Sequence, residues 1–262
     1  MECKNCHSLL NEENNYCSSC GGKVIRNRLT FKNLLQHFSE AYLNYDNKFL
    51  KTFIHLFKKP EDVIGGYIGG TRKKYADVIS YFAIALTLSG LQMFIMNKFF
   101  PEAMDISNMA AEGSEEFQRK NLEFVQEYQS IIMMLYVPLY ALMSKIVFFD
   151  KKQYNYTEHL VIFMYIISQT TIVSAIYSVF AASIGLTLGD IGLYYTIPFQ
   201  ILFSAYSLKR LFKLSFTTIL VRTLFFLVVL SIFMMIFGIV MVLMMMLNGD
   251  LQSLLDAKQN VA

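Results

Sequence analysis

The sequence predicts an all-α fold, a polytopic membrane helix bundle of five spans preceded by a small N-terminal cysteine module. Three observations carry this. Of the 262 residues, 55% are hydrophobic and 16% charged, against about 25% charged in a soluble domain, and the mean hydropathy is +0.40. The hydrophobic residues gather in runs of about 20, the length needed to cross a hydrocarbon core about 30 Å thick. All four cysteines lie within the first 20 residues, apart from those runs. An ordinary soluble protein is excluded.

Residues 1–22 form the first unit. Cys3-x-x-Cys6 and Cys17-x-x-Cys20 are separated by ten residues and followed by Gly21-Gly22. Each pair can turn two thiolates toward one ion, and two pairs complete a tetrahedral sulfur shell suited to Zn2+. A small zinc ribbon or knuckle is therefore expected, with Cys3, Cys6, Cys17 and Cys20 as ligands. Four sulfurs close the shell, so the metal is structural rather than catalytic. His7, beside Cys6, is read as a bystander. Two disulfides would need an oxidising compartment, whereas the polar first 22 residues predict no signal peptide.

Residues 23–76 are read as a basic amphipathic connector. Phe31, Leu34, Leu35, Phe38, Tyr42, Tyr45, Phe49, Phe53, Ile54 and Phe57 recur at steps of three and four, which builds one apolar helical face. Thr30 is the expected N-cap, and Pro60 the stop. Such a helix either lies in the interface of an anionic leaflet or packs on the bundle. Gly65 to Tyr75 then brings four glycines beside Arg72, Lys73 and Lys74. Gly69 and Gly70 amides with these cations could form an anion-binding nest for lipid headgroups; a flexible turn with positive-inside anchors is the alternative. Thr71-Arg72 stands where a P-loop needs Lys-Ser/Thr, so no nucleotide site is expected.

These residues carry a resemblance. Cys3, Cys6, Cys17, Cys20 and Gly21, with Tyr67, Ile68, Gly70, Arg72 and Tyr75 in a Tyr-Ile-x-Gly-x-Arg-x-x-Tyr motif, resemble a hydrophobic bacterial family known only as a domain of unknown function. Val78 stands where that family would place a proline. The resemblance implies no activity; it implies that ribbon and membrane domain belong together, in a bacterial inner membrane.

The membrane domain is read as residues 77–247, followed by a C-terminal tail, 248–262. Its spans run from Asp77 to Met96, Ser130 to Phe149, Leu160 to Ser183, Ile191 to Leu208 and Thr218 to Leu247. Lysine and arginine mark the cytoplasmic side. The basic connector, Lys151 with Lys152, and Lys209, Arg210 and Lys213 would lie there. The acidic loop at about 97–129, expected to hold an amphipathic helix, and the loop carrying Asp190 would lie outside. The N-terminus is then cytoplasmic and the C-terminus outside, a topology that resembles the Yip membrane-trafficking family.

Inside the spans, ionisable groups are costly and point to function or to snorkelling ends. Asp77, Lys145, His159 and Arg222 sit near span ends and are read as snorkelling. Gln169, Thr170 and Gln200 either line a polar pathway through spans three and four or join helices by hydrogen bonds. Ser174, Ser178 and Ala182 form a stripe for close helix packing. No catalytic constellation appears, and no enzyme is expected. The expected function is a membrane-anchored adaptor or organiser. Its cytoplasmic ribbon and basic Gly-rich loop would bind a protein partner or anionic lipid headgroups in the bilayer, with no role for nucleic acid. The alternative is a transporter or channel subunit, which at this size would work as a homo-oligomer.

Overall fold

The structure is a computed structural model and describes residues 1–11, 14–22, 24, 30, 48–104 and 124–248. The chain divides into two compact units, Met1–Asn47 and Lys48–Ala262. The expected helix from Phe31 to Tyr45, the middle of the acidic loop and the tail 248–262, save Asn248, lie outside the described residues. In the first unit, one antiparallel bridge, Glu2 to Leu9, is the extended pairing among the described residues.

Among its described residues, the second unit is built of helices joined by turns. Helix α1 (Lys48–Lys58) leads to a helical turn (Glu61–Gly65, continued through Ile68), and the chain then enters α2 (Val78–Phe99). Helices α3 (Gln129–Val147), α4 (Tyr156–Ser183), α5 (Ile197–Leu211) and α6 (Phe216–Asn248) follow. Four helical segments, Val78–Phe99, Gln129–Val147, Tyr156–Ser183 and Phe216–Ile236, are long and apolar enough to cross a membrane. The chain is therefore a membrane protein.

The fourth expected span is interrupted. Ile191–Thr196 is π-helical, and only Ile197–Leu211 is regular α-helix. Pro198 explains the widening: it has no N–H for its i−4 carbonyl and its ring clashes there, which the wider π turn relieves. Helical conformation nonetheless runs from Leu188, packed with Met96 and Ala182, to Leu211 beside the Gln153 amide at the other end of the bundle.

Helix starts follow from side-chain caps. Asp77 Oδ1 accepts from the amides of Ile79 and Ser80. Asn155 and Glu158 form a reciprocal capping box at α4. Asp77 is thus a cap rather than a snorkelling side chain, and Val78, at the first helical position, is buried.

Helix α1 packs on the bundle. Leu56 and Thr52 are fully buried, and Phe57 stacks edge-on against Phe203. The other flank, with Leu50 and Ile54, is exposed. Pro60 ends α1, but the chain continues helically beyond it, because proline fits a first helical turn. Carbonyls left near that proline find a donor in Tyr206, whose hydroxyl donates to Phe57 O at 2.9 Å and Lys58 O at 3.3 Å.

A buried polar set ties α1 and the start of α2 to α4. Gln169 Nε2 donates to Phe53 O at 3.2 Å, and Tyr81 Oη donates to Gln169 Oε1. Tyr165, one turn earlier, donates to Ala76 O at 2.8 Å. Thr52 Oγ1 donates to Lys48 O and accepts from the Ala76 amide at 2.9 Å. Gln169 is a structural joint with no exposed surface, which corrects its expected place in a pathway.

Gln169→Leu would strand the buried Tyr81 hydroxyl and remove the side-chain donor that Phe53 O has beside its helical one. The stranded hydroxyl costs about 1–3 kcal/mol, so the variant should unfold at clearly lower temperature in detergent. Thr170→Val should be close to neutral, since the Thr170 hydroxyl bonds only to its own helix at Ile166 O and Ile167 O. Equal melting of Gln169→Leu and wild type would refute the joint.

Candidate functional site

The cysteine module is built from two similar turns. In the first, the His7 amide donates to Cys3 O and the Cys3 amide to Ser8 O. In the second, the Gly21 amide donates to Cys17 O and the Cys17 amide to Gly22 O. Each turn closes on a left-handed residue, His7 at φ 59° and Gly21 at φ 69°. His7 therefore fills the position that glycine fills in the second turn, and this backbone duty accounts for its place beside Cys6.

The two turns bring four sulfurs together. The Sγ atoms of Cys3, Cys6, Cys17 and Cys20 all lie within 4.8 Å of one another. Cys3 to Cys20 is 3.7 Å and Cys6 to Cys17 is 3.6 Å. A tetrahedron with metal–sulfur bonds of about 2.3 Å has edges of about 3.8 Å, whereas a disulfide needs about 2.05 Å. All four cysteines are free thiols, and the cluster can hold a metal ion.

The surroundings favour thiolate at Cys17 and Cys20. The Ser8 hydroxyl lies 3.1 Å from Cys17 Sγ and, with the Cys20 amide, holds that thiol down to about 6. The Gly22 amide, with the Asn5 side chain, lowers the Cys20 thiol. Both groups are poised to lose the proton that metal binding must displace. Cys3 and Cys17 are buried and Cys6 and Cys20 exposed, so one edge of the cluster faces outward.

The glycine-rich loop has a different character from the expected nest. Gly65 and Gly66 are helical. The Gly70 amide donates to Tyr67 O and the Thr71 amide to Gly66 O, with Gly70 at φ 98°. That pairing is a Schellman stop, with Gly70 in the left-handed position. The Gly69 amide bonds to Gly65 O. The Gly69 and Gly70 amides are thus taken by backbone carbonyls, which corrects their reading as anion donors.

Arg72 folds back. Its guanidinium sits 3.8 Å over the Tyr67 ring and donates to Tyr67 O. Tyr67 Oη donates to Asp77 Oδ2 at 3.0 Å, and this carboxylate, after burial, raises the phenol above its ordinary range. The Tyr75 hydroxyl pairs with His55 Nδ1 at 2.9 Å. The Tyr67, Gly70, Arg72 and Tyr75 positions are therefore one knot that sets the chain into α2. Lys73 and Lys74 remain exposed, the Lys74 ammonium lying 5.1 Å over the Tyr75 ring.

Two ion pairs escaped sequence reasoning. The Arg210 guanidinium makes a two-pronged contact with Glu61 and holds that carboxyl below its usual range. Arg222 makes the same contact with Asp150 at 2.7 and 2.8 Å and also donates to Val147 O. Lys145 donates to Tyr154 O, and His159, fully buried, pairs with Ser144. Lys145, His159 and Arg222 are bonded inside the protein, which replaces the snorkelling expectation. Partners 72 and 149 residues apart in sequence leave no local signal.

The expected pathway residues divide. Thr170 and Gln200 border a cavity between the helices, and Gln169 does not. Ser174 and Ser178 of the expected stripe border it too, Ser178 being buried, and Ala182 packs with Met96 and Ala103.

Gly70→Ala tests the knot. No atom would obstruct the new methyl, so the loss reports only the left-handed backbone, about 1–2 kcal/mol. Thermal unfolding in detergent should fall accordingly, and an unchanged transition would dismiss the stop as dispensable.

A protein family described as "Protein of unknown function (DUF3667)" matches residues 46–90, the stretch from just before α1 through the knot to the first half of α2. No curated protein and no solved structure matches the chain.

Proposed function

We propose that this protein is a five-span, inner-membrane adaptor of bacterial type whose N-terminal module is a zinc-ordered docking element. The observation that carries the reading is the convergence of the Cys3, Cys6, Cys17 and Cys20 sulfurs at spacings that suit a tetrahedral metal. Among the described residues the module's core is small: Cys3, Leu10 and Cys17 are buried, with Val24 packed on them. Its order would come from the ion, and a closed four-sulfur shell suits display rather than chemistry. In this reading the segment Leu188–Leu211 is the remaining span. At about 1.5 Å per residue it is about 36 Å long, sufficient to cross even with the π turn.

Orientation rests on charge. Lys58, Lys59, Lys73, Lys74, Lys151, Lys152, Lys209 and Lys213 belong to segments joined by the Glu61–Arg210 pair and the Gln153 to Leu211 bond. One end of the membrane unit is thus basic, as a cytoplasmic face is. Exposed Lys73 and Lys74 would meet anionic headgroups there, while the module meets a protein. The transporter alternative retains Thr170 and Gln200 at the cavity; Gln200→Leu would abolish flux if it holds, and unchanged flux would remove it.

Detergent-purified protein should carry about one zinc per chain, and Cys17→Ser should lose it together with any protein companion, leaving the membrane unit folded. A full set of companions on the metal-free variant would sink the adaptor reading. Metal retention should also fall as pH drops, because protons compete for the four thiolates. Metal content unchanged from neutral to strongly acidic solution would argue against thiolate ligation.

A further inference from the structure

Helices α2 to α6 surround an elongated cavity of about 680 Å³ that is partly open to the outside of the bundle. Residues from Gln129 to Phe148 border it, so it follows the whole of α3, about 28 Å at the helical rise. That is the height of a bilayer's hydrocarbon core, about 30 Å.

The walls are more apolar than their residue names suggest. Thr170 donates to Ile166 O and Ile167 O, and Ser178 to Ser174 O and Ala175 O. Thr196 is paired with Tyr177. These hydroxyls are satisfied within the wall, and most of the surface that the space sees is methyl, methylene and ring. Leaving the space empty would forfeit the dispersion contacts of every lining group. The outward neighbours of α6, Leu220, Leu224 and Val228, are exposed apolar side chains. Hydrocarbon is therefore what meets this flank of the bundle.

One end of the cavity is polar. Arg222 borders it beside the turn after α3, with its terminal nitrogens on Asp150 and Val147 O and its guanidinium 4.8 Å over the Phe148 ring. Its Nε is buried without a partner. Asp150 balances the charge, so the acceptor that suits this end is an uncharged oxygen such as an ester carbonyl rather than a free anion. Ser174 Oγ also lacks a partner, but a serine hydroxyl can turn to its own helix and so makes no demand on a ligand.

We propose that this cavity is a site for an acyl lipid of the surrounding membrane, entering sideways between the helices, its chain along α3 and α4 and its ester region at Arg222. The site is separate from the cysteine module, and either can fail without the other.

The test compares full-length wild type, Ser204→Phe, which fills the cavity from α5, and Leu220→Phe, which adds the same bulk on the outward face of α6. After extensive delipidation in detergent, native mass spectrometry should find about one acyl lipid per chain, within the size class such a cavity admits, on wild type and Leu220→Phe. Ser204→Phe should retain several-fold less. No retained lipid on wild type, or equal retention on a folded Ser204→Phe, overturns the proposal.

Should Ser204→Phe fail to fold, a single tryptophan decides, since the chain has none. Phe226→Trp reports from the cavity wall and Leu220→Trp from outside. Each is loaded with phospholipid carrying brominated acyl chains and then transferred to detergent. Quenching that persists at position 226 and disappears at 220 supports a bound chain. Disappearance at both means only annular lipid and overturns it.

Discussion

A helix packed against a membrane bundle is held there best by polar groups that satisfy one another where water is scarce. The Tyr165 and Gln169 side chains of α4 do this here, reaching Ala76 O and Phe53 O on two different segments. Because they stand one turn apart, they share a face of α4 and act as one clamp. Tyr81 closes it from α2, and Thr52 links α1 to the residue before the Asp77 cap. The apolar contacts of Leu56, Ile64 and Ile166 then have a fixed frame to pack in. Polar groups in such a place specify one arrangement, since any slip leaves a buried donor unpaired.

The knot from Tyr67 to Tyr75 is the covalent continuation of that clamp. Gly70 turns the chain, Arg72 closes over Tyr67, and Tyr67 in turn bonds the cap of α2. Residues that resemble a binding loop by composition are thus occupied with each other. Arginine suits this duty because its planar group both stacks and donates, which lysine does not match. The neighbouring Lys73 and Lys74 stay outward, and charge for a leaflet or a partner would come from them.

The cysteine module obeys a different economy of forces. Its two turns repeat the same pair of backbone bonds, and a left-handed residue after the second cysteine of each aims the sulfurs inward. Local hydrogen bonds thus prearrange the cluster, and an ion would add cohesion to the small core that the described residues form.

Composition and spacing determined much of this protein. The apolar runs located α2, α3, α4 and α6 to within a few residues at most ends, because a span's length is set by the bilayer and its content by the absence of water. The four cysteines announced their cluster, since a Cys-x-x-Cys turn is a local device. Tertiary structure alone decided what the polar residues do. Gln169 could have faced a pathway or a neighbour, and the arrival of Phe53, 116 residues away in sequence, settled it. Arg222 read as a snorkelling span end and Arg210 as a cytoplasmic anchor, yet each has a carboxylate from a distant turn. The cavity left no trace in any one helix, because it is the space between five of them. Hydrophobicity is a property of each residue and can be read along a chain. A hydrogen-bond partner or a void is a property of two or more segments in space, and only folding brings those together.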